Sequence, residues 1–231
     1  VPRKRKLSNR RESSLHETLK ALYAGEGNQV EVPVGNYLVD VIREDVAIEI
    51  QTGNFSALKF KLIDLLQVMP VLVVYPLVHE KYILRMDVDS SQIISKRKSP
   101  RKGKYLDLFN EIVRIPEIIV NPYFSLEVLL VNIDEIWVND GCGSWRRKYW
   151  SITDRKLKAI IDRKTFTTPK DYLDIFNAIQ IDTFEVKDIA LVLGVHKRLA
   201  SRIAYTMRIM GLWEVISKRR NAYIYQVKQG L

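Results

Sequence analysis

A single cysteine, Cys142, stands in 231 residues. No internal disulfide can form, and a reducing compartment fits that composition. Cys142 sits in Gly141-Cys142-Gly143 with no second thiol nearby, so it reads as a small turn residue, a reactive thiol being the alternative. Histidine is also scarce. His16, His79 and His196 are far apart and have no zinc spacing, which argues against a His-rich metal centre. No apolar run approaches the roughly 18 to 20 residues of a membrane span. The longest, 68–78, contains Pro70 and Pro76 and reads as a buried strand. The basic start of the chain is followed by a mixed helix and not by an apolar segment, so no secretory signal is read there. These absences lead to the expectation of a cytoplasmic protein with no membrane partner, and no internal repeat is visible.

What is present is positive charge. Lys and Arg number 37 against 27 Asp and Glu, a formal charge of +10, with a pI near 9.6 and a mean hydropathy of −0.11. Such an excess attracts polyanions, nucleic acid foremost. The length allows one large domain or two modest ones, each with its own core. We read residues 1–12 as a basic arm (Arg3, Lys4, Arg5, Lys6, Arg10, Arg11), 13–150 as one domain and 151–231 as a second.

Along the chain, Leu15, Leu19 and Leu22 predict a helix over 13–24 that Gly25 ends. Strand patterns follow at 29–33, 37–43 and 46–51, separated by Gly35-Asn36 and Glu44-Asp45. Leu58, Leu62, Leu65 and Leu66 predict a helix over 55–69. The continuous apolar stretch 71–76 suits a strand buried on both faces, and 81–86 reads as another strand. Residues 96–104 form a basic, turn-rich loop, 105–113 a short helix, and 126–138 strand material. The run Trp145-Arg-Arg-Lys-Tyr-Trp150 suits either nucleic-acid stacking or packing of a domain junction with its cations turned outward.

The sharpest constellation lies in 37–51. Glu49 and Gln51 flank Ile50 on an apolar strand, so they share one face. Burying such groups without partners costs several kcal/mol. The preceding hairpin brings Asp40 from the adjacent strand into reach. Two carboxylates placed so can hold a hard divalent cation, Mg2+ or Mn2+. The plainer alternative makes Asp40 and Glu49 surface acids near a turn. The pattern resembles the PD-(D/E)XK nucleases, the restriction-endonuclease-like superfamily: an acid on one strand, (D/E)-x-K on the next, then a helix and a strand. Asp40 matches the first acid, Glu49 the second, and Gln51 stands at the lysine position. Glu17 on the first helix matches a further acid of the family. The resemblance implies an α/β core, a mixed sheet flanked by helices, in which Asp40 and Glu49 bind metal and Glu17 and Gln51 assist. Lys59 or Lys61 on the following helix could replace the missing lysine, or be solvated.

Toward the C-terminus, a helix from 184, a tight turn at Gly194, a longer helix over 196–210 and a final hairpin resemble a winged helix-turn-helix domain. Lys197, Arg198, Ser201, Arg202, Tyr205 and Arg208 lie outside the apolar set of the second helix, and Lys218, Arg219 and Arg220 form the hairpin tip. The resemblance implies duplex DNA as partner, with helix residues at base edges and the tip at phosphates; a protein-binding or packing module is the alternative. Together these readings predict a Mg2+-dependent deoxyribonuclease, dimeric if it cuts both strands. A catalytically inactive DNA-binding regulator on the same scaffold is the second reading, and an RNA-directed protein the third.

Overall fold

Leu15, Leu19 and Tyr23 recur at helical spacing and are buried along α1 (Ser14–Ala24), whose first turn is capped by Ser13. The computed structural model describes residues 12–26, 28–87, 92–176 and 182–228; the basic arm expected over 1–12 lies outside them except for Glu12. After α1 come β1 (Gln29–Val34), β2 (Tyr37–Arg43) and β3 (Val46–Ile50), then α2 (Phe55–Leu65) and β4 (Val71–Met86). Next in order are β5 (Ile93–Lys98), the short helices α3 (Phe109–Ile112) and α4 (Pro116–Ile119), β6 (Phe124–Val138) and β7 (Ser151–Phe166). Seven strands form one mixed sheet in the order β1-β2-β3-β4-β6-β7, with β5 on the far part of β4. The pairs β3–β4 and β4–β6 are parallel, the others antiparallel.

Helices cover the sheet. Leu15, Leu19 and Tyr23 of α1 pack with Val41, Ile48, Ile50 and Val74. Phe55, Leu58, Leu62 and Leu65 of α2 belong to a second cluster with Ala47, Val73, Leu126 and the α3 and α4 side chains. The core is therefore α/β, a mixed sheet flanked by helices, as expected. The N-terminus of α1 is tied down from the opposite edge strand, where Asp154 on β7 accepts from the Ser14 amide at 2.8 Å and from its hydroxyl at 2.6 Å.

Residue 150 does not separate two units. β7 begins at Ser151 and pairs with β6 along its whole length, from Val138↔Ser151 to Leu126↔Phe166, so 151–166 belong to the large sheet. The chain leaves it only after Phe166. A 3-10 helix over Pro169–Phe176 leads to β8 (Thr183–Phe184), α5 (Val186–Val192), α6 (Lys197–Ile209) and the hairpin β9 (Trp213–Arg219) and β10 (Ala222–Val227). The second sheet has the order β8-β10-β9. Among the described residues, this C-terminal module shares its core with the large sheet and its helices. Leu199, Ile203, Met207, Trp213 and Tyr225 lie in the same buried cluster as Phe109 and Phe166. Phe176 links the two parts, its ring centroid 5.4 Å from both Phe109 and Trp213.

Two smaller expectations also change. The strand read at 81–86 is the continuation of β4, and the basic loop 96–104 starts as β5, paired from Tyr82↔Lys98 to Met86↔Ile93. The Trp145–Trp150 run does not pack a domain junction: it caps the β6–β7 hairpin, with Trp145 72% exposed.

Candidate functional site

The β2–β3 ladder runs from Arg43↔Val46 to Val41↔Ile48. One step further along come Asp40 and Glu49. There the Asp40 carboxylate, in place of a backbone carbonyl, accepts from the Ile50 amide at 2.8 Å. Glu49 lies on the other flank level with Val73 of β4 and is only 4% exposed. The two acids expected from neighbouring strands are thus brought together, close enough for the Asp40 charge to act on Glu49.

Lys61 of α2 reaches back over the sheet. Its Nζ stands 2.6 Å from Glu49 Oε1 and donates to the Leu38 carbonyl at 2.5 Å. Lys59 instead points to Glu117 at 3.7 Å. Glu49 Oε1 is buried and, beyond this ion pair, has no hydrogen bond of good angle. Burial pushes the Glu49 carboxyl up to about 7; the Lys61 charge opposes the rise and the Asp40 charge adds to it. A carboxylic acid poised there changes protonation near neutrality.

Asp40 behaves in the opposite way. Burial works against its charge, but His16 and the Ile50 amide outweigh that and hold its carboxyl below the ordinary value. The His16 Nε2 is 3.4 Å from Asp40 Oδ2 and its Nδ1 is 3.0 Å from Glu12 Oε2, the latter an ion-pair contact without hydrogen-bond alignment. For His16 too, burial opposes the charge, and the contacts to Asp40 and Glu12 prevail, raising its pKa. Lys20 continues the chain of charges, 2.9 Å from Glu12 and 2.8 Å from Glu31. Donor atoms of Glu12, His16 and Asp40 all lie within 4.8 Å of one another. Because the two ring nitrogens face different acids, the imidazole bridges them, and a cation on His16 would have to replace one of these contacts.

Glu17 is not part of the cluster. It is exposed and, two residues past Leu15, faces away from the buried side of α1; among the described residues its carboxylate has no hydrogen bond or ion pair. His16, one residue earlier, takes the position beside Asp40. A helical projection holds the signal that finds it, since His16 borders the Leu15–Leu19 stripe. Gln51 lies on the site's edge but turns its amide NH2 to the carbonyls of Gly53 and, at 3.3 Å, Asn54. It braces the turn into α2, where Asn54 has a positive φ of 56°.

Beyond Ile50 the edge of β4 that faces β3 has no strand partner among the described residues until β5 joins at Tyr82. Pro76, which has no N–H to leave unpaired, falls in that gap. A cleft of about 1110 Å³ opens here, lined by Thr52, the β4 residues Tyr75, Pro76, Leu77 and Val78, the loop from Arg101 to Lys104, Asp107, Asn110 and Glu111, and the start of α6 with His196, Arg198 and Arg202. Lys81, Glu135 and Arg155 close the far side. Seven Lys and Arg side chains face three carboxylates in this lining. Glu135 is held ionised in spite of its burial, with Lys81 at 2.9 Å, Trp137 Nε1 at 3.0 Å and Arg155 at 3.3 Å.

The residues expected to contact DNA divide into two groups. Lys197, Ser201, Tyr205 and Arg208 are exposed on α6, with the Arg208 guanidinium 5.8 Å from the Tyr205 ring centroid. Arg198 and Arg202 instead border the cleft, and half-buried Arg202 donates to the Asn110 side chain. Lys218, Arg219 and Arg220 are exposed at the hairpin tip, Arg219 lying 3.7 Å from Glu185.

Comparison with known proteins adds kinship without chemistry. Over 218 residues, 94% of this chain, the sequence is 30% identical to an "Uncharacterized protein" of Treponema pallidum (strain Nichols), covering 85% of that protein. No solved structure matches it significantly. A family match spans residues 13–167, from the cap of α1 to the residue after β7, the part that builds the large sheet. The chain therefore belongs to the family described as Domain of unknown function (DUF8091).

Proposed function

We propose that the chain is a Mg2+- or Mn2+-dependent deoxyribonuclease, with a restriction-endonuclease-like core and a winged-helix-like C-terminal module. One observation carries this reading: Asp40 and Glu49, from adjacent strands, converge beside a lysine, Lys61, on the next helix. The residues fit a hard cation. Glu49 Oε1 is a buried oxygen facing the Lys61 ammonium at 2.6 Å, a contact that a cation would displace, and Asp40 nearby has its carboxyl held below the ordinary value. Asp40 and Glu49 would hold the ion, which when bound polarises a phosphoryl oxygen and lowers the pKa of its water. The protein's own groups do the rest. The Ile50 amide and His16 fix the orientation and charge of Asp40. Lys61 supplies the positive charge that the resembled pattern carries two residues after the second acid, where this chain has Gln51. Glu49, whose carboxyl titrates near neutrality, would bind such an ion as the carboxylate, its proton passing to solvent.

The order β8, α5, α6, then the β9–β10 hairpin supports the winged-helix reading, and the exposed cations of α6 and the hairpin tip support DNA as partner. No helix among the described residues is long and apolar enough to cross a membrane. Cutting both strands of a duplex would call for a homodimer, and the cytoplasm is the compartment that fits.

The burial of Glu49 and the inward turn of the Gln51 amide favour one other reading, a DNA-binding regulator on the same scaffold. Plasmid cleavage in Mg2+ and in Mn2+, run beside Glu49→Ala, separates them. Cutting that Glu49→Ala abolishes while still binding DNA supports the nuclease. No cutting in either metal, with binding intact, supports the regulator.

A further inference from the structure

Arg198 and Lys104 approach the same cleft from different parts of the fold, the first from α6 and the second from the loop before α3. Neither has an ion-pair partner among the described residues, whereas Lys81, Arg101, Lys102 and Arg155 are each matched to a carboxylate. We infer that this cleft binds the phosphodiester backbone of an unpaired nucleic-acid strand, and that the inner edge of α6 serves the cleft and not a separate duplex-reading surface. The inference rests on the proposed nuclease reading for the fate of the strand, though binding itself does not require cutting.

Three observations lead here. The cleft is lined by Thr52, three residues past Glu49, and by Leu15, next to His16, so it adjoins β3 and α1 although Asp40 and Glu49 themselves do not line it. Its volume, about 1110 Å³, is close to the upper end of roughly 300 to 1,000 Å³ for small-ligand pockets. That admits a few nucleotides but not a turn of duplex, which is about 34 Å long. Finally, Arg202 is anchored to Asn110, which keeps this edge of α6 turned toward the core and away from an outside helix.

The test is fluorescence anisotropy of the full chain in EDTA, with a labelled oligodeoxynucleotide of about 12 nucleotides, within the range of single-strand sites. The unlabelled strand and its duplex serve as competitors. Arg198→Ala with Lys104→Ala should weaken single-strand binding at least tenfold. It should also flatten the slope of log K against log salt by about 1.4, two contacts at about 0.7 each. Arg146→Ala with Lys148→Ala removes the same charge from the β6–β7 hairpin tip and should change binding less than twofold. Unchanged affinity in the cleft variant, an equal loss in the control pair, or a duplex that competes as well as the strand would overturn the inference. Loss in the cleft variant in a protein that never cuts would sustain the inference while the nuclease reading falls.

Discussion

Lys61 Nζ stands 2.6 Å from Glu49 Oε1, an ammonium from α2 set against a carboxyl that is nearly sealed in the sheet. Removing one member of such a pair leaves the other without its counter-charge. Lys61→Met should therefore destabilise the protein by about 1–3 kcal/mol at pH 8, where Glu49 must ionise, and by less at pH 5, where it takes up a proton. Urea denaturation at both pH values checks this. An equal loss at the two would mean that the lysine acts by packing alone.

The pH dependence of Glu49 can be isolated. Its folded-state pKa of about 7 lies above its ordinary 4.5, so the folded protein holds that proton more tightly than the unfolded chain. Its contribution to stability accordingly falls as pH rises from about 4.5 to 7. Glu49→Gln cannot ionise, so relative to the parent it should gain up to about 3 kcal/mol across that window. A difference that stays constant with pH would show that Glu49 titrates as an ordinary carboxyl.

Much of the core is legible in the sequence, and the places where it is not have physical causes. Leu58, Leu62 and Leu65 announce α2, and 29–51 reads strand by strand because each turn carries Gly-Asn or Glu-Asp. β7 was unreadable as part of the sheet because it is an edge strand: most of its residues are at least partly exposed, and Asp, Arg and Lys interrupt the apolar alternation. The same exposure made residue 150 look like a boundary. At the site, Asp40 and Glu49 could be paired from strand spacing alone, because a hairpin fixes which residues meet. Lys61 and His16 could not be ranked, because a side chain's reach from a helix onto a sheet depends on how the two pack. Glu17 enters the reading only through the resemblance, and helical spacing turns it to solvent.

The two modules should unfold together. Phe176 touches both Phe109 and Trp213, and its removal should cost about 3–5 kcal/mol, as for other buried aromatics. Calorimetry of the parent should show one cooperative transition, and Phe176→Ala should lower its midpoint. Two resolved transitions in the parent would mean that the modules are independent.

Gly103 sets the floor of the basic loop. Its amide donates to the His79 carbonyl at 2.9 Å and its carbonyl accepts from His79 Nδ1 at 2.9 Å. A Cβ here would lie 2.1 Å from the Val78 carbonyl oxygen, so the backbone must move. Gly103→Ala should cost about 1–3 kcal/mol, typical of overpacking, and should weaken single-strand binding by shifting Lys102 and Lys104. A variant with unaltered melting temperature and affinity would show that the loop adapts freely.

The most direct measurement is anomalous diffraction from a crystal soaked in Mn2+. One peak is expected within coordination distance of carboxylate oxygens from both Asp40 and Glu49, weakened or lost in Glu49→Gln. A peak held by Glu12 and His16 without Glu49, or no peak at a Mn2+ concentration that supports cutting, would contradict it.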